Sequence, residues 1–216
     1  MTANYHPSDM TIMRFAAGTL PAGPTLVVAT HLSGCPFCRR RVATFEAAGG
    51  EILTGIGPAA LSDGALERTL NRLDSSEPTT LASPSPRPAT IDGFMLPRTL
   101  NDCKVGPWRT VGPGVKLSRV TMPHAPMANV ILLKVKANRR MPAHGHSDLE
   151  VTQVLKGSFS DAGNRYQPGD FVEGDDDTDH SPVIGSEGEC ISLAAIEGHV
   201  RFRGFFGRLL QPFIGL

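Results

Sequence analysis

The stretch HLSGCPFC, residues 31–38, brings His31, Cys35 and Cys38 together in a chain of 216 residues with four Cys in all. Two thiols and an imidazole at this spacing can hold a metal, form a thiol–disulfide couple, or pack as small buried side chains. A helix ending near His31 and another opening at Cys35-Pro36 put His31 and Cys35, four apart, on one face. Cys35 and Cys38 then project the same way from the opening turn. Three ligands converge on one helix-loop-helix corner, and a closed zinc site takes a fourth. His6, just ahead of the first helix cap, is the candidate. A thioredoxin-type couple sits between a strand and a helix, a context the helical periodicity here lacks.

A second constellation lies in PAHGHSDLEVTQVLKG, residues 142–157. On a strand, i and i+2 face one side, so His144 and His146 point together and Glu150 arrives from the next turn or strand. Gly157 ends that strand. Pro168-Gly169-Asp170 supplies a later turn, and His180 follows as a fourth ligand. Three imidazoles and a carboxylate suit Zn, Fe, Mn or Ni; a metal-free barrel with packed His is the alternative. The acidic run EGDDDTDH, residues 173–180, reads as a solvated loop before His180 rather than a calcium site. Cys190, on a predicted strand, is a candidate redox neighbour. Cys103 reads as packing and His124 as a surface residue.

These residues need elements to position them. Ser8 or Asp9 caps a first helix through Ala17, closed by Gly18. A second helix starts near Pro21 or Pro24 and breaks at Gly34. Cys35 caps a third, with Pro36 in its first turn, and Gly49-Gly50 end it near Ala48. In LSDGALERTLNRLD, Ser62 is the expected cap and Leu61 and Leu66 stand at staple spacing. Leu66, Leu70 and Leu73 form one narrow apolar stripe. Four helices in so short a segment make a small core, which a structural metal can staple. Residues 77–90, EPTTLASPSPRPAT, carry four Pro and read as a linker. Beyond it, Gly and Pro recur between apolar stretches such as NVILLKVKA and CISLAAI, the pattern of an antiparallel sandwich or barrel.

The totals narrow the function classes. Lys+Arg equals Asp+Glu at 21 each, and residues 1–85 hold six basic against seven acidic residues. Such balance does not favour direct binding to nucleic acid. No apolar run approaches the roughly 20 residues that span a bilayer, and the opening residues do not read as a basic, apolar, small-residue secretory signal. The expected address is the cytoplasm, with no membrane partner.

His31-x3-Cys35-x2-Cys38 with His6 upstream resembles the signature of the ChrR family of zinc-binding anti-sigma factors in identity, order and spacing. The resemblance extends to the helical segment followed by a cupin, and covers all but residues 201–216. His144-x-His146-x3-Glu150-x6-Gly157 resembles the first cupin motif, with Asn138 where that motif begins with Gly; the second motif lacks its usual later Asn. The resemblance implies an α+β multidomain chain. In it a small N-terminal four-helix zinc-binding domain spans residues 1–76 and an all-β cupin, an antiparallel jelly-roll barrel, residues 91–200; residues 201–216, apolar with interleaved Arg and outside the resemblance, read as a tail covering the barrel or an oligomer contact. It implies Zn2+ at His6, His31, Cys35 and Cys38, and Zn2+ or another divalent transition metal at His144, His146, Glu150 and His180. It implies an extracytoplasmic-function sigma factor as partner, met by Leu66, Leu70 and Leu73, and no enzymatic activity. The cupin becomes a sensor of oxidants such as singlet oxygen or organic hydroperoxides. The rival reading is a metal-dependent cupin enzyme of dioxygenase type.

Overall fold

The computed structural model describes residues 3–74, 89–146, 148–174, 181–198 and 200–202. The helices are α1 (Asp9–Ala16), α2 (Ala22–Gly34), α3 (Pro36–Thr54) and α4 (Ala65–Asp74). The caps of α1 and α3 follow from side-chain chemistry. Ser8 Oγ accepts from the Thr11 N–H, and Cys35 Sγ accepts from the Cys38 N–H with Pro36 at the first helical position. Gly18, in the left-handed region at φ 66°, follows α1.

Two helix boundaries differ from the sequence expectation. α3 runs through Gly49-Gly50 to Thr54. A helical Gly costs about 1 kcal/mol, which weakens a ladder without ending it, and no Pro intervenes before Pro58. α4 begins at Ala65, behind a turn in which Gly64 takes φ 68° and the Ala65 N–H donates to the Ser62 carbonyl. Ser62 Oγ is held by Arg68 instead of capping the helix. Leu61 and Leu66 are both exposed, so no staple forms.

Fourteen strands follow among the described residues. β1 (Thr90–Ile91) and β2 (Phe94–Met95) form a hairpin; Thr90, the last residue of the expected linker, is already paired. After a 3-10 turn at Arg98–Leu100 come β3 (Lys104–Val105), β4 (Arg109–Gly112), β5 (Val115–Met122), β6 (Ala125–Val135) and β7 (His144–His146). Then come β8 (Glu150–Lys156), β9 (Phe159–Asp161), β10 (Asn164–Tyr166) and β11 (Phe171–Gly174). The last three are β12 (Val183–Ile184), β13 (Cys190–Ile196) and β14 (Val200–Phe202). The main antiparallel sheet has the order β11-β8-β13-β6-β5-β3, with β4 also on β5. A second sheet, β10-β9-β12, packs on it through Val135, Val154 and Cys190 against Phe159, Tyr166 and Ile184. β14 pairs with β7.

The main sheet is covered on both faces around β13, whose seven residues are all buried. That accounts for the unbroken apolar stretch CISLAAI. Leu193 and Ala195, with Val130 and Leu132 of β6, share a core with Val27, Val28 and Ile12 of the helices. Ala194, Ile196 and Ile131 pack on Leu117 instead. Thus α2 lies on the sheet, and Thr30 bonds Thr99 of the 3-10 turn, hydroxyl to hydroxyl, at 2.6 Å. The helices and the barrel share one core. α4 stands apart, with none of its described side chains buried.

Candidate metal centre

Three segments meet at one corner. The stretch before α1 brings His6, the last turn of α2 brings His31, and the first turn of α3 brings Cys35 and Cys38. One ligand atom from each lies within 4.8 Å of all the others. His6 Nδ1 stands 3.5 Å from Cys35 Sγ and 3.4 Å from Cys38 Sγ. His31 Nε2 stands 3.3 Å from Cys38 Sγ and 3.5 Å from His6 Nδ1. Zinc, with bonds of about 2.0–2.1 Å to nitrogen and 2.3 Å to sulfur, has tetrahedral edges of about 3.4–3.8 Å. The donor set therefore fits zinc in chemistry and in size.

The tautomer of His31 follows from its neighbour. Nδ1 lies 3.0 Å from the Gly169 carbonyl. A carbonyl only accepts, so Nδ1 carries the proton and Nε2 turns its lone pair on Cys38 and His6. A metal-ligating His commonly donates its other N–H in this way. Burial, at 1% exposure, pushes the His31 pKa from 6.5 down to about 4, helped by the facing His6 and opposed by the Gly169 carbonyl. The imidazole is thus neutral at pH 7, the form that binds metal.

Burial, and after it the neighbouring Cys35 thiol, pushes Cys38 from 9.0 up to about 12. A reactive redox thiol needs the opposite shift, so the arrangement argues against a thiol–disulfide couple at rest. All four cysteines are free thiols. Around the site, the His6 ring lies 4.8 Å from the ring of Phe37, and the Phe171 ring meets His31 edge-on at 5.5 Å.

The second constellation is placed only in part. His144 and His146 occupy β7, opposite Phe202 and Val200 of β14. Glu150 opens β8, half-buried, and its Oε1 accepts from Thr152 Oγ1 at 3.3 Å. His180, most of the acidic run before it, residues 77–88 of the expected linker and the tail from residue 203 lie outside the described residues. Cys190 lies in an apolar cluster with Val154 and Phe159, and burial raises its thiol to about 12. Cys103 packs at the edge of the main core, and His124 is exposed in a turn.

A further surface escaped the sequence reading. Ile52, Leu53 and Ile56, at the end of α3 and just past it, are exposed at 71%, 68% and 65%. Leu66, Leu70 and Leu73 of α4 are exposed at 70%, 50% and 68%. The signal was present in EILTGI, but Gly49-Gly50 hid that these residues continue a helix.

The family described as the ChrR Cupin-like domain matches residues 97–200. The anti-sigma-E factor ChrR of Cereibacter sphaeroides is 38% identical to this chain over 216 residues, covering 99% of each. In the crystal structure of Rhodobacter sphaeroides SigE in complex with the anti-sigma ChrR, a chain matches at TM-score 0.71 and 32% identity. That match covers 91% of this chain and all of the other. A four-ligand corner of this composition, ahead of a cupin barrel, in a chain aligned end to end with such a relative, fixes the lineage: the chain belongs to the ChrR family of anti-sigma factors.

Proposed function

We propose that this protein is a zinc-dependent, non-enzymatic anti-sigma factor of the cytoplasm that sequesters an extracytoplasmic-function sigma factor. The observation that carries the reading is the convergence of His6, His31, Cys35 and Cys38 within 4.8 Å, in a chain aligned over 99% of its length with a named anti-sigma factor. Bound there, zinc supplies a cross-link between the segment before α1, the end of α2 and the start of α3. His31 presents Nε2 as a neutral donor, and the two thiols give up their protons on loading.

The apolar residues at the end of α3 and on α4 have no cover within the described chain, and exposed apolar side chains clustered in this way suit a partner surface. They suit an apolar groove on a sigma factor. The near-even charge of residues 1–85 fits a protein partner better than nucleic acid.

The cupin serves as the sensory module in this reading. His144, His146, Glu150 and His180 are its proposed ligands for Zn2+ or another divalent transition metal, and oxidants such as singlet oxygen or organic hydroperoxides its signals. Two of these ligands sit on one strand and a third opens β8, a central strand of the sheet that meets α2.

The deciding experiment is capture of the host's sigma factors by the full chain, loaded with zinc or stripped by a strong chelator. Retention of one extracytoplasmic-function sigma factor only when zinc is present is the expected result. No retention by folded, zinc-loaded protein would overturn the reading.

A further inference from the structure

Of the four proposed zinc ligands, His6 is positioned by the cupin, and His31, carried by α2, has its ring oriented by the cupin. The stretch that carries His6 has no regular structure of its own. Asp170, 1% exposed in the turn between β10 and β11, accepts from the Asn4 N–H at 2.6 Å and the Tyr5 N–H at 3.2 Å. The Phe171 N–H donates to the Tyr5 carbonyl at 3.1 Å, and the Ser8 N–H to Glu173 Oε1 at 2.9 Å. His6 therefore sits between two anchors, both on the cupin. The same turn orients His31 through the Gly169 carbonyl.

The turn is itself braced by hydrogen bonds. Asp170 Oδ2 accepts from the Gln167 N–H at 2.8 Å. Gly169 N–H donates to the Val154 carbonyl at 2.9 Å, and Val154 N–H to the Asp170 carbonyl at 3.1 Å. Val154 belongs to β8, four residues, or about 13 Å, along the strand from Glu150.

We propose that this cupin turn is the outer shell of the metal centre, with Asp170 as a positioning residue that holds His6, and Gly169 holding His31. The inference rests on the zinc reading above and deepens it. Retention of zinc by the helical segment then depends on the position of the barrel. A shift of the turn loosens both imidazoles together and leaves only the two thiolates, whereas a firmly docked turn keeps the tetrad closed.

The test uses the zinc-loaded full chain, with a chromophoric chelator in excess, and follows the rate of zinc transfer. Outer-shell replacements cost about 10–100-fold in metal affinity. D170A is expected to lose zinc about tenfold or more faster than wild type. D170N, which keeps one oxygen for Asn4 and Tyr5, is expected to fall between them. In the cobalt-substituted protein the d–d bands of D170A are expected to shift, a change that lowered global stability alone does not produce. R165A, which removes the β10 partner of Glu187, is expected to leave both readouts unchanged.

Wild-type zinc release and an unaltered cobalt spectrum in folded D170A would overturn the inference. Should D170A fail to fold, E173A removes only the Ser8 anchor from the edge strand, and wild-type release there would overturn it equally. A wild-type chain that binds no zinc would overturn the zinc reading itself, and this inference with it.

Discussion

Gly23 of α2 and Ala195 of β13 meet with no side chain between them. A Cβ on Gly23 would stand 3.2 Å from the Ala195 Cβ and 3.4 Å from Val130 Cγ2. Close approach of helix to sheet lets Val27 and Val28 reach full burial against the barrel. Each such residue contributes about 1.5–3 kcal/mol. The helical segment therefore does not rely on a metal staple alone, as its short length suggests.

Substitution at Gly23 tests that docking. G23L gains up to about 1 kcal/mol of helix propensity, but overpacking a filled site costs about 1–3 kcal/mol. Overpacking is the larger effect, so the denaturant midpoint of the full chain is expected to fall. A raised midpoint would show that α2 does not bear on β13 in solution.

Acid should destabilise the metal-free chain through His31. Its pKa is 6.5 unfolded and about 4 folded, so between those values the unfolded state binds more protons. Stability is full above pH 6.5 and is lost as pH falls towards 4, by at most about 3 kcal/mol. Urea midpoints of metal-free protein across this window give the slope, and H31Q is expected to flatten it. An unchanged slope in H31Q would mean that His31 is not buried neutral.

Zinc loading should release protons. Cys38, raised to about 12, is a thiol at pH 7, and zinc binds the thiolate. At least one proton per zinc is expected, read with a pH indicator in weak buffer. Loading without proton release would exclude Cys38 as a ligand.

Much of this site is legible in sequence because it is local. His31, Cys35 and Cys38 lie within two helical turns, and Cys35-Pro36 reads directly as a cap. Asn138 also carried a signal: it stands where the cupin motif begins with Gly and takes φ 58°, a conformation Asn tolerates better than most residues. Gly157, at φ 69°, is required because a Cβ there would collide with the Glu189 carbonyl. What sequence could not show is long-range. Nothing in residues 4–8 announces that Asp170 holds them, because that pairing spans 166 positions. The double-sided burial of β13 was visible as an apolar run, but not the identity of α2 as its cover. Gly49-Gly50 misled for a different reason: local propensity is a weak term, and the α3 ladder overrode it.

The stripe on α4 gives the sharpest test of the partner surface. Leu70, half exposed, lies on a helix with no described side chain buried, so L70D should change the stability of the free chain by no more than about 0.5 kcal/mol. In a complex that buries Leu70, the same change forfeits about 1.5–3 kcal/mol of apolar burial and leaves a charge without a partner. Sigma-factor affinity should then fall by about tenfold to more than a hundredfold. M127D, on β6 at 88% exposure, replaces a still barer apolar side chain on the barrel and serves as the control. Titration of a labelled sigma factor against both variants separates the cases. Loss in L70D alone assigns the docking surface to α4. Equal affinity in wild type and L70D would move that surface elsewhere, with Ile52, Leu53 and Ile56 next in line.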